Sequence, residues 1–142
     1  MTKPARHFRD PQSAAKLDCD ALLEARYDAG DVPSFLQDLS IGTKLPASRP
    51  PGRLLVIRSG PWTEYVPPIT AVARIRGVAW SLDADEAWDI ASWFHASLLA
   101  YPGDLDVVSY RYEIGPERGI DPDYDTPMAS FTIRARMRPA IL

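Results

Sequence analysis

The sequence predicts an α+β domain: a mainly antiparallel sheet of about four to five strands with two helices packed on one face. Two segments, 14–29 and 83–101, carry apolar residues at helical spacing. Several shorter segments alternate apolar and polar residues, which is typical of half-buried strands. No βαβ unit is repeated, so a doubly wound parallel sheet is not indicated.

Composition fits one domain with a substantial core, since 46% of the 142 residues are hydrophobic and 25% are charged. The net charge of -3 argues against a surface that binds polyanions as a whole, but it leaves room for a local basic patch. Cys19 is the single cysteine, which excludes an internal disulfide and suits a reducing compartment. No apolar run is long enough to span a membrane, and we expect no membrane partner.

The chain is predicted to begin with a flexible arm. Residues 1–13 are polar and contain prolines, whereas residues 14–142 carry the periodic patterns of the folded domain. The first helix is predicted over Ala14–Ala29, with Ser13 as its N-cap and Gly30 as its stop signal.

The middle of the chain is predicted to hold short strands separated by proline-rich loops. A short turn follows Pro33, and Ile41–Pro50 reads as a brief strand that ends in a rigid loop. Leu54–Ser59 is predicted as a strand, Gly60–Pro68 as a loop or edge hairpin, and Thr70–Trp80 as the longest strand.

The second helix is the most strongly amphipathic segment of the sequence. It spans Asp83–Tyr101, and Asp83 and Glu86 have the spacing of a capping box. Three further segments complete the predicted order: a strand at Asp106–Ile114, a loop at Gly115–Pro127 and a strand at Met128–Arg138.

Alternation along the strands predicts one sheet face under the helices and an opposite face studded with arginine. The predicted arginines are Arg58, Arg74, Arg76, Arg111, Arg134, Arg136 and Arg138. The acidic residues concentrate on the helices and loops instead. Three interpretations stay open: an ordinary solvated face, a head-to-tail contact with the acidic surface of another copy, and contact with a nucleic-acid backbone. The last is the weakest, because exposed aromatic residues are not interleaved with the arginines.

Catalytic signatures are missing from the sequence. It contains no GxSxG, HExxH, phosphate-binding glycine loop or CxxC pair. His7 falls in the predicted arm, and His95, on the second helix, has no nucleophile motif beside it, so we interpret it as a satisfied, partly buried residue. We therefore predict that the protein is not an enzyme.

One acidic run resembles the start of a calcium-binding loop. Asp121, Asp123 and Asp125 have the D-x-D-x-D spacing. However, Thr126 occupies the position that requires glycine, and Thr132 occupies the position of the closing glutamate. The run predicts a charged, turn-rich loop and no metal site.

The order of short signatures resembles that of a known family. They are GTKLP (Gly42–Pro46), RPPGRLLVIRSGP (Arg49–Pro61), DADEAWDIASWFHASLLAYPG (Asp83–Gly103), a GP…DPD…TP loop (Gly115–Pro127) and a final strand ending in FTIRARMRP. Over roughly residues 17 to 138, the chain resembles the tail-terminator, or tail-completion, proteins of long-tailed bacteriophages. The likeness is to the form found in phages and prophages of high-GC actinobacteria.

The resemblance implies a structural virion protein without enzymatic activity or cofactor. Such a subunit forms a hexameric ring with other copies of itself, caps the tail tube, ends its polymerisation and docks to the head–tail connector protein. DNA passes through the lumen without sequence-specific binding. The expected location is the head-proximal end of the virion tail, and the host cytoplasm during assembly. The alternatives are another connector or tail-tube subunit, or a small soluble module that binds a ligand or nucleic acid.

The contact residues are predicted from loop placement and strand alternation. For the subunit interface they are the seven arginines above together with Asp83, Asp85, Glu86 and Trp93. For contact with the tube or the connector they are Lys44, Arg49, Trp62, Tyr65, Asp121, Asp123 and Tyr124.

Overall fold

The computed structural model describes residues 6–45, 52–66 and 70–141. The strands are β1 (Arg6–Phe8), β2 (Ser40–Gly42), β3 (Arg53–Val66), β4 (Thr70–Ser81), β5 (Val107–Ile120), β6 (Pro127–Met137) and β7 (Pro139–Ile141). The helices are α1 (Pro11–Ala29) and α2 (Ala84–Leu99), with a 3-10 turn at Ser34–Leu36. The main sheet has the order β2-β3-β4-β6-β5, and only β2 and β3 pair in parallel. The predicted α+β class and the mainly antiparallel sheet are confirmed.

The N-terminal segment is more ordered than the sequence pattern predicts. β1 pairs antiparallel with β7 in a separate two-stranded sheet, and α1 already begins at Pro11. Asp10 is the N-cap, since its carboxylate accepts hydrogen bonds from the Gln12 N–H and the Ser13 hydroxyl. Ser13 is therefore not the cap, and the flexible-arm interpretation is wrong from residue 6 onward. Proline is well suited to the first helical position because its missing N–H would have no partner there.

Two segments between the predicted strands belong largely to strands. For Gly60–Pro68 the hairpin alternative is confirmed over its described part, since β3 pairs antiparallel with β4 as far as Val66 opposite Thr70, whereas the loop predicted at Gly115–Pro127 is wrong over its first half. β3 continues through Pro61 to Val66, and β5 continues through Pro116 to Ile120, each with register shifts. Both prolines are tolerated because they lie on free strand edges: β2 covers only the start of β3, and β5 is the edge strand of the sheet. Only the second half of the predicted loop at Gly115–Pro127 forms a turn.

Both helices pack on the same face of the main sheet, as predicted. The core combines the buried sides of the two helices with alternate residues of the four long strands; its largest members are Phe94, Phe131, Leu36, Leu55, Ile57, Ile75, Ile90, Leu98, Ile133 and Met137. Cys19 is fully buried in it, which raises the pKa of its thiol. The Phe131 ring lies over Gly77, where an added Cβ would come within 2.3 Å of a ring atom. In the described part of the chain, no helix is long and apolar enough to cross a bilayer.

The face that the helices do not cover, here called the outer face, carries a second and smaller apolar cluster. Leu54, Val56, Val78 and Trp80 are buried there, with Met128 packed against them. The sequence pattern predicts arginines for this face but does not predict the cluster, which occupies the end of the sheet where β4 finishes.

A buried hydrogen bond attaches the turn before β6 to this cluster. The Trp80 Nε1–H donates to Asp121 Oδ2 at 3.0 Å. Asp121 Oδ1 accepts the backbone N–H groups of Asp123 and Tyr124, at 2.8 and 3.2 Å. Asp121 therefore holds its own turn and satisfies the indole at the same time.

A buried carboxyl joins α1 to β5. The Tyr110 hydroxyl donates a hydrogen bond to Asp18. Burial, and secondly the neighbouring Asp104 carboxylate, raise the pKa of Asp18 to about 7, although the Tyr110 hydrogen bond opposes the shift. Asp104 Oδ1 in turn accepts the N–H groups of Asp106 and Val107, at 2.9 and 2.8 Å.

Removing the Asp121 carboxylate should destabilise the fold. Asp121→Ala leaves the Trp80 indole N–H buried without a partner and should lower the free energy of unfolding by about 2 kcal/mol. Urea unfolding followed by tryptophan fluorescence measures the change. Asp123→Ala, in the same turn but exposed, is the control and should stay within about 0.5 kcal/mol of the wild type. Equal effects for the two variants would contradict the structural role of Asp121.

The raised pKa of Asp18 predicts a pH dependence of stability. Between pH 3.8 and about 7 the folded state binds more protons than the unfolded state, so stability falls as the pH rises through this window. Asp18→Asn keeps an oxygen for the Tyr110 hydroxyl and should remove this slope. The variant should be more stable than the wild type at about pH 8, and the advantage should shrink toward about pH 4. Parallel stability curves for the two proteins would rule out this titration.

Candidate interaction surface: the arginine face of the sheet

The strand register places arginines of like charge directly opposite one another on the outer face. Arg58 on β3 lies opposite Arg76 on β4. Arg134 on β6 lies between Arg74 on β4 and Arg111 on β5. All five side chains are exposed. Like charges directly opposite on neighbouring strands destabilise a sheet, so this arrangement requires a compensating interaction. We call these residues, with the exposed Arg136 of β6, the arginine face.

Glu113 supplies part of that compensation within the chain. Its carboxylate accepts a hydrogen bond from Arg74 Nε at 2.9 Å and from Arg134 Nε at 3.1 Å. The Glu113 side chain is only 11% exposed. Although burial opposes the shift, the two arginines hold the pKa of Glu113 below its usual value. The carboxylate thus bridges two of the opposed arginines.

The arginine face is concave. A groove of about 520 Å³ is lined by Arg74, Arg111, Arg134 and Arg136, with Thr63, Glu64, Val72 and Tyr112 completing its walls. Guanidinium groups form paired hydrogen bonds with carboxylates and phosphates, so such a groove can bind either kind of anion. Arg138 is outside this set, because its Nε donates to the Asp104 carbonyl oxygen at 2.9 Å, next to the start of β5.

The acidic residues predicted for the subunit interface are largely engaged inside the subunit. Glu86 accepts hydrogen bonds from Arg53 Nε and Nη2, at 2.5 and 3.1 Å. Arg53 Nη1 also donates to the Gln37 carbonyl oxygen at 2.6 Å, so this ion pair joins β3, α2 and the segment after the 3-10 turn. The sequence offers no local sign of this pair, because its members are 33 residues apart.

The N-terminus of α2 is capped in only one of the two predicted ways. Asp83 Oδ1 accepts the N–H groups of Asp85 and Glu86, which confirms the aspartate cap. A capping box also requires the Glu86 carboxylate to accept the Asp83 N–H, and this part of the prediction is wrong, because Ser81 Oγ accepts that N–H. Asp85 forms an exposed ion pair with Arg118 at 3.1 Å. None of these carboxylates is a free acidic surface.

Trp93 is not the exposed interface anchor that the helical pattern allows. It is half-buried, packs against the core and makes an edge-on contact with Phe94 at 4.8 Å. The Arg26 guanidinium lies 6.0 Å from the Trp93 ring centroid. The interface role predicted for Trp93 rested on an exposed side chain, and the half-buried position of Trp93 does not support it.

The residues predicted for contact with the tube or connector are scattered over the subunit. Lys44 is exposed after β2, and Trp62 and Tyr65 are partly exposed on β3, where they cluster with Phe8 at ring distances of 5.5 to 5.8 Å. They lie in the β3 strand of the β3–β4 hairpin, which agrees with the hairpin alternative predicted for this segment.

Of the acidic turn, Asp123 is exposed and Tyr124 is half-buried. The prediction of a surface role for Asp121 is wrong, because its carboxylate is buried against Trp80. Arg49 lies outside the described residues.

His95 is more deeply buried than predicted. Its ring lies 5.6 Å from that of Tyr112 and 5.3 Å from that of Phe131, and burial lowers its pKa. Its Nε2 has no hydrogen-bond partner in the described part of the chain, so the expectation of a satisfied histidine is not met. Among the same residues, no group of three His, Cys, Asp or Glu side chains has the arrangement of a metal site.

The fold and these surfaces define a small α+β domain with one strongly basic sheet face. No protein-family model matches the chain, and no curated protein matches its sequence. What the molecule does is therefore inferred from its own surfaces and from the order of its sequence signatures.

Replacing the bridging carboxylate should expose the repulsion within the arginine face. Glu113→Gln should lower the free energy of unfolding by about 1 kcal/mol at low salt. The loss should shrink in about 1 M salt, where the screening length falls to about 3 Å. Urea unfolding at the two ionic strengths measures it, with Glu117→Gln on the same strand as the control. A loss that does not change with salt would contradict an electrostatic origin.

Proposed function

We propose that the protein is a structural assembly subunit of the tail-terminator type, which forms a ring with copies of itself. The observation that carries the proposal is the opposite charge of two opposite surfaces. The arginine face lies on the outer face of the sheet. The exposed carboxylates that form no ion pair within the described residues lie on the helices, which cover the opposite face of the sheet: Glu24 and Asp28 on α1, and Asp89 on α2.

Surfaces of unlike charge on opposite sides of one subunit favour a head-to-tail contact. Such a contact is heterologous, and it closes into a ring when the rotation between neighbours permits. Arginine suits the contact because its planar fork binds carboxylates and its stem packs against apolar surface.

The resemblance in signature order extends the proposal. In this hypothesis the ring is hexameric, caps the tail tube, ends its polymerisation and docks to the head–tail connector, while DNA passes through its lumen. The subunit would act at the head-proximal end of the virion tail, without enzymatic activity or a cofactor. A connector or tube subunit of the same virion is the nearest alternative, since head-to-tail rings would use the same kind of contact.

A second candidate function is favoured by the groove lined by Arg74, Arg111, Arg134 and Arg136. Four converging guanidinium groups also suit a phosphate backbone, so a module that binds nucleic acid is the alternative from a different class. Binding to random-sequence DNA that weakens steeply with salt, by a protein that does not self-associate, would favour it.

The oligomeric mass at two salt concentrations tests the ring. Light scattering after size exclusion should give a mass of several subunits at about 0.1 M salt and a smaller mass at about 1 M salt. A mass that is independent of salt would contradict the arginine–carboxylate contact. A monomer at every protein concentration would contradict self-assembly in solution, and mixing with tail-tube protein would then show whether the subunit binds there alone.

A further inference from the structure

A pocket on the outer face combines an apolar floor with two exposed arginines. It has a volume of about 400 Å³, and Val56, Val78, Trp80 and Met128 form its apolar lining, together with Leu45 and the turn at Asp121–Asp123. Arg58 and Arg76 also line it. We call it the Trp80 pocket.

The two arginines of the Trp80 pocket lie one step along the strands from its floor. Val56 is opposite Val78, and the next pair on the same face is Arg58 opposite Arg76. Both arginines are exposed, and neither makes a hydrogen bond or an ion pair within residues 6–45, 52–66 and 70–141. The pocket therefore suits a large apolar side chain that has carboxylates next to it.

Such a group exists elsewhere on the same chain. Leu105, in the loop between α2 and β5, is 91% exposed, more than any other large apolar side chain in the described ranges. It is flanked by Asp104 and Asp106. Asp104 Oδ1 accepts the Asp106 N–H at 2.9 Å, and the Tyr101 hydroxyl donates to Asp104 Oδ2 at 3.3 Å. The loop thus holds an apolar side chain between two acids in a fixed geometry, which limits the entropy lost on binding. We call this group the Leu105 knob.

The knob and the pocket lie at opposite ends of the sheet. Val107, just after the knob, pairs with Met137, which pairs with Ala71 near the start of β4. The Trp80 pocket lies at the end of β4, some seven residues from Ala71 onward, or roughly 23 Å along the strand. The knob of one subunit therefore cannot enter the pocket of the same subunit, and a contact between them joins two copies head to tail.

We propose that the Leu105 knob of one copy binds in the Trp80 pocket of the next copy. The leucine covers Val78 and Trp80, and the Asp106 carboxylate meets Arg58 and Arg76. This inference rests on the proposed self-assembly and names the contact that would form it. Asp106 is held by a more exposed ion pair than Glu86, which is bound to the less exposed Arg53.

An ion pair of Asp106 and a second exposed leucine could argue against the contact between the Leu105 knob and the Trp80 pocket, but neither excludes it. Asp106 pairs with Arg9 at 3.1 Å, but Arg9 is 54% exposed and such a surface pair contributes little. Leu82 is also exposed, at 71%, and precedes Asp83. It follows β4 directly, next to the pocket of its own subunit, and Asp83 is used to cap α2. Leu82 therefore serves as a matched control.

The test uses two full-length variants, each lacking one half of the contact. Leu105→Asp removes the knob, and Arg76→Glu gives the pocket a charge that repels the carboxylates of the knob. Each variant alone should be a monomer by light scattering at concentrations where the wild type assembles. Their equimolar mixture should contain a dimer, because it combines one intact pocket with one intact knob. Circular dichroism and thermal unfolding verify that each variant is folded.

Two control variants define the specificity of the contact. Leu82→Asp exchanges another exposed leucine, and Arg118→Glu reverses an exposed charge on β5 outside both the pocket and the arginine face. Both should keep the mass of the wild type. Loss of assembly in Arg118→Glu would show a general dependence on surface charge in place of this pocket.

The remaining outcomes separate this inference from the proposed ring. If the wild type assembles and both Leu105→Asp and Arg76→Glu assemble equally well, the knob-and-pocket contact is overturned and the ring proposal stands. If the wild type is a monomer at every concentration, both are overturned. If the variants are monomers and their mixture contains no dimer, the two residues do not form the two halves of one contact, and the inference is again overturned.

Discussion

The central strands β4 and β6 pair in one continuous register, from Ala71 opposite Met137 to Trp80 opposite Met128. Because side chains alternate between the two faces of a strand, this register decides at once which residues form the core and which carry charge to the outside. A slip of one residue on either strand would move its arginines under the helices and its core residues to the outer face. The burial of unpaired guanidinium groups makes that alternative strongly unfavourable. The core, the arginine face and the Trp80 pocket therefore all depend on this pairing.

The sequence predicts what is local and periodic in this fold. The period-two pattern of β4 and β6 and the amphipathic pattern of α2 identify those elements and the faces of their side chains. The pairing of β1 with β7 has no local signal, since the two strands are separated by nearly the whole chain. The extension of β3 past Pro61 depends on which strand edge is free, and sheet order cannot be seen in a local pattern.

The arginine face could also be predicted only in part. Alternation predicts the exposed arginines, but the partners of charged side chains are set by the tertiary fold. Arg53 meets Glu86 across 33 residues and Arg74 meets Glu113 across 39. The sequence predicts Asp121 as one of several surface acids in a turn-rich loop. In the structure its carboxylate is instead the buried acceptor of the Trp80 indole N–H. Pairing inside the chain thus decides which charges are left for a partner, and a count of acids and bases in the sequence cannot show this.

In the proposed ring, this division of charges would link stability to assembly. Glu113 compensates Arg74 and Arg134, while Arg58 and Arg76 face each other across two strands, and no carboxylate in the described part of the chain pairs with either of them. Their repulsion makes the folded chain less stable than an uncharged pair would. An acidic partner that relieves the repulsion binds the folded state and not the unfolded one, and mass action then adds the free energy of that contact to the free energy of unfolding. In the proposed ring, each subunit would be stabilised by its neighbour at the positions where its own sheet is least stable.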